Sequence, residues 1–163
     1  MKMQKQIIGM LVEKDEETLR EWLLSKLCKA RRINDKMFYA KNLIAINCIE
    51  GLEYYYNYLT KVYTTYNDKE EIIDINSELA KIKHKDKIEI LIKLLELTYD
   101  PNFKDSSFNG IYHNVSKSII NIGATNESMF NVTKEKLLAI FNNNQGCLHI
   151  GSINYLINDM ENI

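Results

Sequence analysis

A single proline and six glycines interrupt 163 residues. Proline removes a backbone donor and glycine frees the chain to turn, so a chain this poor in both breaks its helices seldom. The expectation is an all-α fold: one domain, residues 1–163, built as a bundle of six to eight helices joined by short polar loops. One domain is the usual prior for this length. A domain of this size buries about 70% of its unfolded surface, enough to fold without disulfides or metal. Apolar residues make up 45% of the chain and charged residues 26%, both ordinary for a globular protein.

Residues 3–12 read as a short first helix or a packed arm. Asp15 or Thr18 opens the next helix. TLRE has capping-box spacing, with the Thr18 hydroxyl on a free backbone N–H and Glu21 reaching back. Leu19, Trp22, Leu23, Leu27 and Ala30 then fall on one face. Arg31 and Arg32 close that helix at the negative end of its dipole. Asn34 or Asp35 caps a long central helix over about 35–66, roughly 45–50 Å at 1.5 Å per residue, with Gly51 the place where it could break.

That helix contains LEYYYNYLTKVYTTY, six tyrosines in fifteen positions. At about 100° per residue, Leu52, Tyr55, Tyr56, Leu59, Val62, Tyr63 and Tyr66 share an arc of about 120°, read as the core side. Tyr54 and Tyr58 form an aromatic rim beside it. Upstream, Met37, Ile44 and Cys48 continue the buried face, while Tyr39, Leu43 and Ile46 lie away from it. Apolar residues on all sides imply a central helix packed twice, or one side given to a partner.

A helix over about 68–83 carries Ile72, Ile75, Leu79 and Ile82. Another, over about 86–99, is apolar on both sides and is expected to pack on the 35–66 helix. Pro101 opens the longest loop, 100–110. A helix over 107–122 ends at Gly123 as a left-handed stop. Thr133 caps the next, with Val132 and Leu137 as a hydrophobic staple. CLHI, 147–150, is the one segment where a short strand fits. Ser152 caps a last helix with Ile153, Leu156, Ile157 and Met160 inside.

No nucleophile elbow, phosphate loop, zinc-protease helix or dinucleotide-binding glycine pattern appears. The acidic runs at 13–17 and 68–71 sit at helix starts, where the dipole favours them. No catalytic, cofactor-binding or metal-ligating residue is assigned. Cys147 and His149, even with Cys48 or His113, lack the paired spacing of a zinc site. Three cysteines without a CxxC pair suit reduced thiols in a cytosol. The N-terminus lacks a secretory pattern, and no stretch approaches the ~20 apolar residues of a membrane span. The expected location is cytoplasmic, away from membranes. Ile, Asn and Lys fill 58 positions, the bias that AT-rich coding produces in low-GC bacteria and their phages.

These features suit a non-catalytic helical protein that binds another macromolecule, a protein first of all: a regulator, an immunity protein or a phage or mobile-element inhibitor. The candidate contacts are Tyr54, Tyr58, Tyr39, Leu43 and Ile46. Tyr39, Leu43 and Ile46 would equally serve as a homodimer seam. The alternative partner is nucleic acid. Arg31 and Arg32, in the cluster Lys26, Lys29, Arg31, Arg32 and Lys36, would contact phosphates together with Lys81, Lys83 and Lys85 of KIKHKDK, 81–87.

A third reading starts from NNNQGCLHIGS. It resembles, over a handful of residues, the HEPN-family ribonucleases. These are small helical bundles with an arginine four to six residues ahead of a histidine near a helix start. Asn144 stands five positions ahead of His149, where the arginine would be, and no arginine precedes any of the three histidines at that spacing. The resemblance implies at most a degenerate ribonuclease around His149, with Tyr112, His113 or Asn144 assisting.

Overall fold

A computed structural model describes residues 15–61, 75, 77–100, 107–147 and 149–163. Among them all regular structure is helical. The order is α1 (Glu16–Lys29), α2 (Ile33–Ala45), α3 (Ile49–Lys61), a 3-10 turn (Lys85–Lys87), α4 (Ile88–Leu97), α5 (Ser107–Gly123), α6 (Glu127–Asn143) and α7 (Ser152–Glu161). The all-α bundle expected from the scarcity of proline and glycine is the fold. The chain forms two compact units, 1–66 and 67–163. The readings at residues 3–12, Val62, Tyr63, Tyr66, Ile72 and the loop after Pro101 lie outside the described residues.

In the first unit, α1 begins at Asp15. Its carboxylate accepts the Thr18 N–H at 2.6 Å and the Thr18 hydroxyl at 2.7 Å. The cap is therefore Asp15 and not Thr18, because an anion at the positive end of the dipole gains more than a neutral hydroxyl does there. Leu19, Leu23 and Leu27 follow as a buried i, i+4, i+8 stripe.

The rod expected over 35–66 is two helices. Helix α2 stops at Ala45, and Asn47 adopts φ 58°, a left-handed conformation that asparagine tolerates. The Asn47 N–H donates to Ile44 O at 2.9 Å and the Cys48 N–H to Leu43 O at 2.8 Å. This pair of bonds is a Schellman cap with asparagine in place of glycine. The break thus falls at Asn47, upstream of Gly51.

Gly51 has a different task. A Cβ there would lie 2.8 Å from Ala40 O and 2.8 Å from Leu43 Cβ, so α2 and α3 touch backbone to backbone. That contact turns α3 until Gly51, Tyr55 and Tyr58 share its buried side with Leu52 and Leu59. Tyr58 is 3% exposed and Tyr56 is half-buried. The rim position expected for Tyr58 is corrected, because the close approach at Gly51 rotates the buried arc of α3 past the one that apolar spacing marks.

Helix α2 packs against both α1 and α3. Its buried residues, Met37, Tyr39, Ala40, Leu43 and Ile44, occupy both of its apolar sides. Tyr39 and Leu43 join Leu19, Leu23, Leu27 and Cys48 in one core cluster. The side expected to lie away from the core is the side that α1 covers.

In the second unit, α4 packs on α5 and α6, and α5 on α6 and α7. Helix α4 is buried through Ile88, Ile90, Leu91, Ile92, Leu94 and Leu95 and leaves one stripe, Glu89, Lys93 and Glu96, exposed. Ile111, Val115, Ile119 and Ile122 line the inner side of α5. Gly123 is not among the described residues with positive φ, and its Cβ would collide with Met160 Sδ. It admits α7 closely and does not act as a left-handed stop. Asn126 caps α6 by accepting the Met129 N–H at 3.0 Å. Thr133, expected as that cap, is buried in mid-helix. Cys147, His149 and Ile150 lie in or beside turns, with His149 at φ 66°, so the strand reading of CLHI is corrected. Gly151 takes the N-cap position of α7. Ser152 is drawn to the Tyr99 hydroxyl, at 2.8 Å, instead.

Candidate functional site

Around the core of the first unit lies a margin of partly accessible apolar side chains. Trp22, Leu24, Ala30, Phe38, Ile46 and Tyr54 all pack against the buried cluster from its edge. Tyr39 is the pivot: Trp22 meets it edge-on at 6.0 Å and Phe38 at 5.4 Å between ring centroids. The Lys26 ammonium sits 5.6 Å from the centre of the Trp22 ring. Partial burial pushes the Tyr54 phenol above its ordinary value.

This geometry sorts the five expected contacts. Tyr54 and Ile46 remain half-buried and reachable. Tyr39 at 5%, Leu43 at 0% and Tyr58 at 3% exposure are interior. Tyr39 and Leu43 are the floor beneath the margin, so they cannot form a seam without repacking the unit. Trp22 and Phe38 take their place at the surface. Apolar spacing puts Trp22 on the inner face of α1, but it stands half-buried at the border of the leucine stripe. The available signal was its size and its indole N–H, which favour a position at the wet edge of a core.

A polar clamp ties α1 to the α2–α3 corner. Arg20 donates from Nη2 to Glu50 Oε1 at 2.5 Å, from Nη1 to Glu17 Oε1 at 3.2 Å and from Nε to Cys48 Sγ at 3.4 Å. The Cys48 thiol donates to Glu50 Oε2 at 2.7 Å. Burial, then the bond to Glu50, pushes the Cys48 thiol up. The thiol, with help from Arg20, holds the Glu50 carboxyl low. A nucleophilic cysteine needs the reverse, a lowered thiol beside a competent base. In the clamp both directions run against that requirement.

The basic groups separate between the units. Arg31 and Arg32 are exposed in the link between α1 and α2. In the second unit, Lys81, Lys83, His84 and Lys85 are exposed around a short irregular stretch ahead of the 3-10 turn. Lys81 is held by Glu78 at 2.9 Å. Lys87 is buried and paired with Asp86, whose carboxyl it holds low.

Around His149 the parts expected to assist are committed elsewhere. Asn144 donates its amide to Ile140 O of its own helix at 2.9 Å. Tyr112 lies edge-on to Tyr99 at 6.4 Å and to His113 at 5.6 Å. Burial pushes the Tyr99 phenol up to about 12. Among the described residues, no hydrogen bond or ring contact joins His149 to Tyr112, His113 or Asn144.

Among the described residues no group of three or more His, Cys, Asp or Glu could hold a metal ion. No described helix is long and apolar enough to cross a membrane. Comparison with models of known protein families, with curated proteins and with solved structures gives no match to this chain.

Proposed function

We propose that the protein acts without catalysis, by docking another protein on the aromatic margin of its first unit. The observation that carries this reading is the set Trp22, Phe38, Ile46 and Tyr54, half-buried around the Tyr39 core. Large, rigid, partly wet side chains over a packed floor are the composition of interface hot spots: they bury area on contact and lose little entropy. The clamp at Cys48 supports the same reading, since the raised thiol and lowered carboxyl oppose nucleophilic attack.

The test is affinity capture from a low-GC bacterial lysate with the intact chain, run beside Phe38→Ser and Tyr54→Ser variants whose helical content is checked by circular dichroism. A protein retained by the parent and lost from both folded variants bears the reading out. Retention unchanged in both variants, or nothing retained, rejects it. Cleavage of RNA that disappears in His149→Ala would replace it with the ribonuclease reading.

A further inference from the structure

The margin carries a charge that its structural setting does not explain. Between Trp22 and Lys36 stand five basic side chains, Lys26, Lys29, Arg31, Arg32 and Lys36, against one acidic one, Asp35. The local excess is four positive charges in a chain whose net charge is −1. Lys26, Lys29, Arg31 and Arg32 are exposed, and none makes an ion pair among the described residues.

Helix capping accounts for part of this excess only. Lys26 and Lys29 lie in the last turn of α1, where the dipole favours cations. Arg32 is the N-cap of α2, makes no side-chain capping bond there and faces the positive end of that dipole. Arg31 precedes it. An exposed arginine at that N-cap, with no ion pair among the described residues to compensate, is the pattern expected where an outside group supplies the missing charge.

Trp22, Lys26 and Lys29 are spaced i, i+4, i+7, so an apolar body and two ammonium groups form one stripe along α1. That stripe leads into Arg31 and Arg32. The occupant must then be anionic and must offer something apolar to Trp22. Nucleic acid meets the first need, but a base needs an open aromatic face. Trp22 already packs nearly perpendicular to the Tyr39 ring and has the Lys26 ammonium over its own. A second copy of the chain would bring the same positive excess to an isologous contact.

We propose that the occupant is an acidic protein segment, with carboxylates bracketing an apolar anchor, lying along Trp22, Lys26 and Lys29 and ending on Arg31 and Arg32. This deepens the docking reading above and rests on it.

Trp22 is the single tryptophan of the chain and reports directly from the surface. The experiment titrates the intact protein with two synthetic peptides, one glutamate-rich around a central Leu-Phe pair and one with lysine at each glutamate. A single-stranded oligonucleotide forms the third arm. Tryptophan emission and peptide anisotropy are followed together. The acidic peptide should shift Trp22 emission saturably and bind at least about tenfold more weakly to Arg31→Glu/Arg32→Glu, while the basic peptide does not bind. Added salt should weaken the acidic complex, since these charges are exposed. No binding of the acidic peptide, equal binding to the charge-reversed variant, or stronger binding of the oligonucleotide overturns the inference. A protein captured through Phe38 and Tyr54 but indifferent to the two arginines would sink this inference and leave the docking reading standing.

Discussion

Glu50 gives up its proton more readily than a free glutamate because the Cys48 thiol donates to it and Arg20 lies against it. The folded carboxyl is depressed relative to the unfolded one, so its contribution to stability is present above the unfolded value of about 4.3. It is lost as the pH falls through the lower folded value. The urea midpoint of Glu50→Gln should therefore lie below that of the parent at pH 7, and the gap should close on acidification below about pH 4. Cys48→Ala should cost about 1–2 kcal/mol, read from the same urea curves, since a bond to a charged acceptor and a buried sulfur go together. Cys48→Ser, which keeps a donor, should cost less. Cys48 was legible in the sequence as part of a buried face. Its bond to Arg20, 28 residues away, was not. That bond depends on the chain turning back at Asn47, and no local pattern encodes where a turned helix will land.

At the scale of elements, Gly51 and Gly123 pose the same question with different answers. A methyl at Gly51 meets the carbonyl of Ala40 and the backbone of Ile44, which cannot move without separating α2 from α3. Gly51→Ala should lower stability by about 1–3 kcal/mol, seen as a drop in melting temperature. A methyl at Gly123 meets mainly the sulfur end of Met160, a flexible side chain that can swing aside. Gly123→Ala should cost less than Gly51→Ala in the same assay. The existence of the helices was legible because apolar spacing runs through them, as at Leu19, Leu23 and Leu27. Their ends were less so. Asn126 displaced Thr133 as the start of α6, and Asn47 displaced Gly51 as the break, because several residues of capping type compete and tertiary packing chooses among them. Of the half-buried margin, the helical period marks Tyr54 and Ile46 as lying off the core arc; Trp22 and Phe38 join it through Tyr39, a packing hub between helices that no local pattern encodes.

Over the whole molecule the charges nearly cancel, with 21 basic against 22 acidic side chains and an isoelectric point near 6.3. Balance of this kind hides segregation: the stretch 22–36 is positive by four, so the remaining residues are negative by five. Neutral particles with opposed patches attract one another, and salt relieves the attraction. Turbidity of a concentrated solution should peak near pH 6.3 and clear on adding salt, which light scattering across a pH series would check. The corner at Asn47 has one more use. It folds a buried sulfur under a neighbouring helix, while Cys28 stands open on that helix. Under an alkylating reagent, Cys28 should be consumed at the speed of simple encounter. Cys48 should be consumed only as often as the corner lifts, so the ratio of the two rates times the breathing of the fold without any label being introduced.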